Sequence, residues 1–214
     1  MRTWSVIALL IGALQSSAQD TVLVRYRPGF DLHEGIYLGF EDLRDDRPSL
    51  PLARLKDAKG APLPDLAGGR QVFVSDSTGA LVQVDLDRIW GLCSNNTVYI
   101  HAGDGLFRIG MMGSLCHVLY ERSYRDWSNV GYYGPMSPMG GPVTRTVQEQ
   151  RVLDMATGEL RPLTSEGLDP LIRRDEVLYE EWNAVPPKKR KEELLFQFIR
   201  RYNDRNALYF PVAQ

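Results

Sequence analysis

The chain has 214 residues, with 25 Lys and Arg against 27 Asp and Glu and 43% hydrophobic residues. A net charge of −2 excludes a basic nucleic-acid-binding chain and an acidic disordered one, and the apolar fraction suffices for one packed core. Two cysteines are too few for a disulfide scaffold.

The first residues have the pattern of a processing signal. Arg2 supplies a positive start, residues 6–14 (VIALLIGAL) form an apolar stretch of nine, and Ser16, Ser17 and Ala18 put small residues just before a cut at Gln19. That stretch is about half the ~20 residues a membrane-spanning helix needs. Residues 1–18 are therefore expected to be a signal peptide, cleaved after Ala18. No cysteine follows to make a lipoprotein, and no later segment is long and apolar enough to span a bilayer. The expected location is extracytoplasmic: periplasm, cell surface or medium. In that oxidising compartment Cys93 and Cys116 are a candidate disulfide, with two buried free thiols as the alternative. Bonding them needs a sheet curled enough to bring their Cα atoms within about 7 Å.

Residues 19–123 are mainly short strands separated by turns. TVLVRYR, GIYLGF, QVFVSD, ALVQVDL, IWGLCS, TVYIHA, LFRIGMM and SLCHVLYER are rich in β-branched and aromatic residues. Ser77-Thr78-Gly79, Ser94-Asn95-Asn96 and Gly103-Asp104-Gly105 supply turn residues between them. Residues 40–47 suit one or two helical turns ended by Pro48, and residues 50–69, rich in Pro, Gly and Ala, suit a long connection.

Residues 124–146 are expected to be a loop, carrying Trp127, Tyr132, Tyr133, Met136 and Met139 among glycines and prolines. Residues 147–164 suit a hairpin turning at Ala156-Thr157-Gly158, and 165–214 a helical end. Its last helix is expected from Lys188 to about Arg205, burying Leu195, Phe198, Ile199 and Tyr202 at i, i+3, i+4 and i+7. Strands first and helices last predict a single α+β domain over residues 19–214: an antiparallel meander, open or curled, with the C-terminal helices packed on one face.

Five phrases carry a resemblance: GIYLGFEDLRDDRPS (35–49), RIWGLCSNNTVYI (88–100), LFRIGMMGSLCHVLY (106–120), LDMATGEL (153–160) and FIRRYNDRNALYFP (198–211). Together they resemble a group of uncharacterised secreted proteins of Bacteroidetes-type bacteria, over most of the mature chain. The resemblance implies an exported bacterial protein and brings no catalytic residue, ligand or partner with it.

The motifs of chemistry are sparse. The three histidines, His33, His101 and His117, have no nucleophile elbow beside them, and there is no phosphate loop. Cys93, His101, Asp104, Cys116 and His117 could offer metal ligands, but adjacent strand residues 116 and 117 point to opposite faces and no paired ligand spacing occurs. Met136 and Met139, with Met111 and Met112, are soft ligands suited to Cu(I), or packing residues. We expect no metal and no cofactor. The carboxylates at Glu41-Asp42 and Asp45-Asp46 suit solvated faces, and Lys188–Lys191 a solvated basic helix side.

The expected function is accordingly a non-catalytic binding or structural module. Trp127, Tyr132, Tyr133, Met136 and Met139 are its binding candidates, because aromatic and Met side chains on a Gly/Pro-hinged segment supply contact area at low entropic cost. The expected partner is a protein or an envelope component, and no nucleic acid. The alternative is an extracytoplasmic hydrolase whose His and carboxylate, such as His101 or His117 with Asp104 or Glu41-Asp42, are assembled across strands.

Overall fold

A computed structural model describes residues 21–66, 71–102, 105–126 and 143–213, so the expected signal peptide lies outside the described residues. In chain order the strands are β1 (Thr21–Arg25), β2 (Gly35–Tyr37), β3 (Leu50–Pro51), β4 (Phe73–Ser75), β5 (Leu81–Gln83), β6 (Gly91–Ser94), β7 (Thr97–Ala102), β8 (Gly105–Met111), β9 (Leu115–Asp126), β10 (Val143–Asp154), β11 (Leu160–Pro162) and β12 (Tyr209–Ala213). The helices are α1 (Phe40–Arg44), α2 (Ser165–Ile172), α3 (Glu176–Ala184) and α4 (Glu192–Arg205). Eight strands form one open antiparallel sheet in the order β11-β10-β9-β8-β7-β6-β2-β3, while β1–β12 and β4–β5 are separate two-stranded ribbons. The fold is α+β; β6 to β9 follow one another as the expected meander and β10–β11 as the expected hairpin, whereas β1, β4 and β5, expected among the strands of the meander, lie outside it in the two ribbons.

Local chemistry sets the turns. Asn95 and Asn96 both adopt left-handed φ (49° and 54°), which closes the two-residue turn between the paired residues Ser94 and Thr97. Gly158 (φ 76°) turns β10 into β11, and the Asp154 carboxylate accepts from the Ala156 amide (3.0 Å) and the Thr157 hydroxyl (2.7 Å) inside that turn.

Alternation along the strands feeds separate cores. On one face Tyr37, Cys93, Ile100, Ile109, Cys116, Val118 and Leu153 form a continuous layer, closed by Phe40 and Leu43 of α1 and Phe210 of β12. The other face is divided. Toward β2 and β6, Ile36 and Leu92 meet Leu55, Leu63 and Val72 from the 50–90 connection. Toward β9 and β10, Leu115 and Val152 meet Leu168, Leu171, Leu178, Trp182, Leu195, Phe198 and Ile199 of α2 to α4. Each such side chain contributes about 1.5–3 kcal/mol by leaving water. The apolar stripe of α4 is buried as its spacing predicts.

Four expectations need correction. The candidate disulfide is not formed: Cys93 on β6 and Cys116 on β9 are buried free thiols with β7 and β8 between them. At ~4.8 Å per strand that is roughly 14 Å across an open sheet, twice the reach of a disulfide. Burial pushes both thiols up to about 12, and Cys116 donates to the Gly113 carbonyl (3.1 Å). Second, 124–146 is not all loop: β9 runs to Asp126 and β10 begins at Val143, because Val143-Thr-Arg-Thr-Val147 alternates with strand period and pairs with β9 throughout. Third, Pro186 and Pro187 open a 3-10 turn (Pro187–Lys189), so the last helix begins at Glu192, after the basic run. Glu192 and Glu193 then occupy its first turn, where the helix dipole favours acids. Arg190 of that run is structural: its guanidinium lies 4.2 Å from the Trp182 ring and donates to the Trp182 and Val185 carbonyls. Fourth, the helical end closes with a strand, β12, paired with β1.

Candidate functional site

The feature of the fold not accounted for by its cores is the β9–β10 hairpin. Its register runs without interruption from Leu115↔Asp154 to Asp126↔Val143. At the root β9 pairs with β8 at Ile109↔Val118 and Met111↔His117, and Phe107 of β8 still packs on the buried Tyr120 (5.5 Å between ring centres); β10 meets β11 from Arg151 to Leu153. From Leu119 to Asp126, and from Val143 to Glu149, the two strands are each other's only ladder partners among the described residues. At ~3.4 Å per residue this arm reaches roughly 25 Å past the last core pair.

Cross-strand pairs hold the arm together in place of a core. Tyr120 donates its hydroxyl to the Glu149 carboxylate (2.9 Å), which Arg151 also binds (2.8 Å), and Arg145 binds Asp126 (2.7 Å). The Ser123 and Thr146 hydroxyls are 3.1 Å apart. Arg151 holds the Glu149 carboxyl below the usual carboxylate range, while burial and then the bond to Glu149 push the Tyr120 hydroxyl up. The arm is nevertheless rich in uncovered apolar surface: Leu119, Tyr124, Val143 and Val147 are 43–47% exposed. Tyr and Arg beside apolar side chains is the composition that protein interfaces favour.

The predicted binding residues Trp127, Tyr132, Tyr133, Met136 and Met139 lie outside the described residues, in the segment 127–142 that joins the two strands of the arm. Met111 packs against the helix-side core and Met112 against the opposite one, so these two do not converge on one ion. No group of three or more His, Cys, Asp or Glu able to hold a metal ion occurs among the described residues. Cys116 and His117 do face opposite sides: the thiol lies in the continuous layer, and the imidazole packs edge-on against Phe196 of α4 (4.7 Å).

Neither His101 nor His117 has a carboxylate within hydrogen-bond reach among the described residues; His117 Nε2 meets the Gln150 side-chain oxygen (3.0 Å), and burial lowers its pKa. The histidine that does find one is His33. Its Nδ1 is 2.8 Å from Asp46 Oδ2, and its backbone N–H donates to Asp46 Oδ1 (3.0 Å). Asp46 follows α1 with left-handed φ (46°) and is buried, where a solvated carboxylate was expected; burial raises its pKa against the lowering effect of His33. The pair borders a cleft of about 340 Å³ lined by Glu34, Arg47, Pro48, Pro51, Leu52 and Pro211. His33 and Asp46 are thirteen positions apart, and no local motif marks the pairing.

No protein family, no curated protein and no solved structure matches this chain. What it does must be argued from its own geometry.

Proposed function

We propose that the chain is an exported bacterial protein, periplasmic or envelope-associated, with a non-catalytic binding or structural role, and that the arm presents its recognition element, residues 127–142. The observation that carries this is a ribbon that leaves both cores and spends its outer half exposing Tyr and Val side chains, since a monomer gains nothing from such an arm unless something meets it. Trp127, Tyr132, Tyr133, Met136 and Met139 would then contact a protein or another envelope component. The apolar stretch at residues 6–14 supports export. No helix among the described residues is long and apolar enough to cross a membrane.

Asp126 and Val143 are opposite one another, so residues 127–142 can be replaced by Asn-Gly, which closes such a pair as a tight turn. Cross-linking and co-purification from the envelope should lose the partner with this variant while its thermal melt is unchanged. An identical set of partners with and without 127–142 overturns the proposal.

The His33–Asp46 pair favours a second reading, hydrolysis. A buried carboxylate on Nδ1 fixes the imidazole and leaves Nε2 to activate water at the cleft. Among the described residues that line the cleft there is no Ser, Thr or Cys, and in this reading water, activated by His33, is the nucleophile. Ester, peptide and glycoside hydrolysis measured on the wild type and on His33→Ala decides it: activity lost in the variant supports hydrolysis, and no activity in the wild type ends it.

A further inference from the structure

We propose that the cleft of about 500 Å³ between the end of β1 and the end of α4 binds a free α-amino acid with an apolar side chain, holding its carboxylate with Arg25 and Arg27 and its ammonium with Asp204. All three side chains line this one cleft, and among the described residues none of them forms an ion pair or a side-chain hydrogen bond. Opposite charges without other partners would close on each other if they could reach, yet these stand more than 4.0 Å apart across the cleft. A ligand that carries both charges on one carbon bridges that gap. Met112, Ala207 and Leu208, all half-buried, give its side chain an apolar floor, and the volume is that of an ordinary ligand pocket.

Both walls are held before any ligand arrives. Tyr26 packs its ring edge-on to the buried Phe210 (6.0 Å) and its amide donates to the Leu208 carbonyl (2.8 Å), which leaves Arg25 and Arg27, on either side of it, to the cleft. On the opposite wall Asn203 accepts from the Leu115 amide (2.8 Å) and donates to the Leu115 carbonyl (2.9 Å), fastening the end of α4 to the start of β9. Gly113 permits this approach, since a Cβ there would collide with the Asn203 side chain. Asp204 lies in the last turn of α4, where the helix dipole disfavours an acid and favours a cation, and the neighbouring cation Arg205 is engaged with Asp175. An ammonium seated there meets both the Asp204 carboxylate and the negative end of the helix. A simple anion is drawn to the arginines but repelled by Asp204, and a simple amine meets the reverse.

This cleft shares no lining residue with the one beside His33 and Asp46 and uses neither the arm nor residues 127–142, so it stands or falls separately from both readings above. Calorimetric titration of the mature chain with L-leucine and with L-methionine should show one site of sub-millimolar Kd. Isocaproate, which is leucine without its ammonium, and isoamylamine, which is leucine without its carboxylate, should each bind about tenfold more weakly or worse. The double change Arg25→Ala with Arg27→Ala, and Asp204→Ala alone, should each weaken leucine by about tenfold or more while leaving the thermal melt unchanged, because all three side chains are exposed. Asp204→Ala should also bind isocaproate as tightly as it binds leucine, since nothing is left on that wall to tell the two apart. No binding of either amino acid, isocaproate bound by the wild type as tightly as leucine, or leucine affinity unchanged in either variant each overturns the proposal.

Discussion

At the root of the β9–β10 hairpin Leu115, Cys116, Val118, Val152 and Leu153 are buried, while farther along the same two strands Leu119, Tyr124, Val143 and Val147 are 43–47% exposed. The backbone ladder is the same in both halves, one unbroken register. Hydrogen bonding therefore does not distinguish them. The root is sandwiched between the continuous layer and the helix-side core; beyond Tyr120, which is still buried against Phe107, the arm is held by cross-strand pairs such as Arg145–Asp126. The root stores the stability, and the arm is surface held in a fixed geometry.

The contrast can be tested by substitution. Leu153→Ala at the root should cost about 2–5 kcal/mol in denaturant-induced unfolding, because a cavity opens between packed elements; a loss under 1 kcal/mol would show that the root is no better anchored than the arm. Asp175→Asn should cost less, about 1–2 kcal/mol, since its partner Arg205 is 44% exposed. Asp175 caps α3 through the Leu178 amide (3.1 Å) and binds Arg205 of α4 (2.6 Å), fastening the helices that cover the root. Arg205 foremost depresses this carboxyl from its ordinary 3.8 to about 2. Because the folded value lies below the unfolded one, the stabilisation is complete above about pH 4 and is lost as pH falls toward 2. The wild type should show that decline in its melting temperature, and Asp175→Asn should show less of it. Val147→Ala in the arm should change stability by no more than about 0.5 kcal/mol in the same unfolding measurement. A larger loss there would give the arm a structural role of its own.

The meander, its turns and the stripe of α4 were legible in the sequence because each depends on local periodicity: alternation in IWGLCS and TVYIHA, left-handed Asn95 and Asn96, and apolar residues one helical turn apart. The arm was half legible. The glycines and prolines of 134–142 drew the loop boundary outward over Val143 to Thr146, whose strand pattern needs β9 opposite it to be recognised. His33–Asp46 and β1–β12 were not legible, since both join residues that only tertiary structure brings together. The buried state of Asp46 was hidden for the same reason: beside Arg44, Asp45 and Arg47 it has the composition of a solvated turn, and its partner lies thirteen residues earlier.

The pairing of β1 with β12 also imposes an order in time. Thr21–Arg25 is synthesised early, yet its partner Tyr209–Ala213 is the last described element to be made, and Phe210 must seat among Tyr26, Phe30 and the sheet for the ribbon to dock. Closing so long a loop is entropically unfavourable until the intervening sheet holds the ends near one another. Throughout synthesis, and throughout any passage across a membrane, the segment TVLVR remains an unpaired apolar strand, the kind of sequence that holding chaperones bind and that aggregates when they are absent.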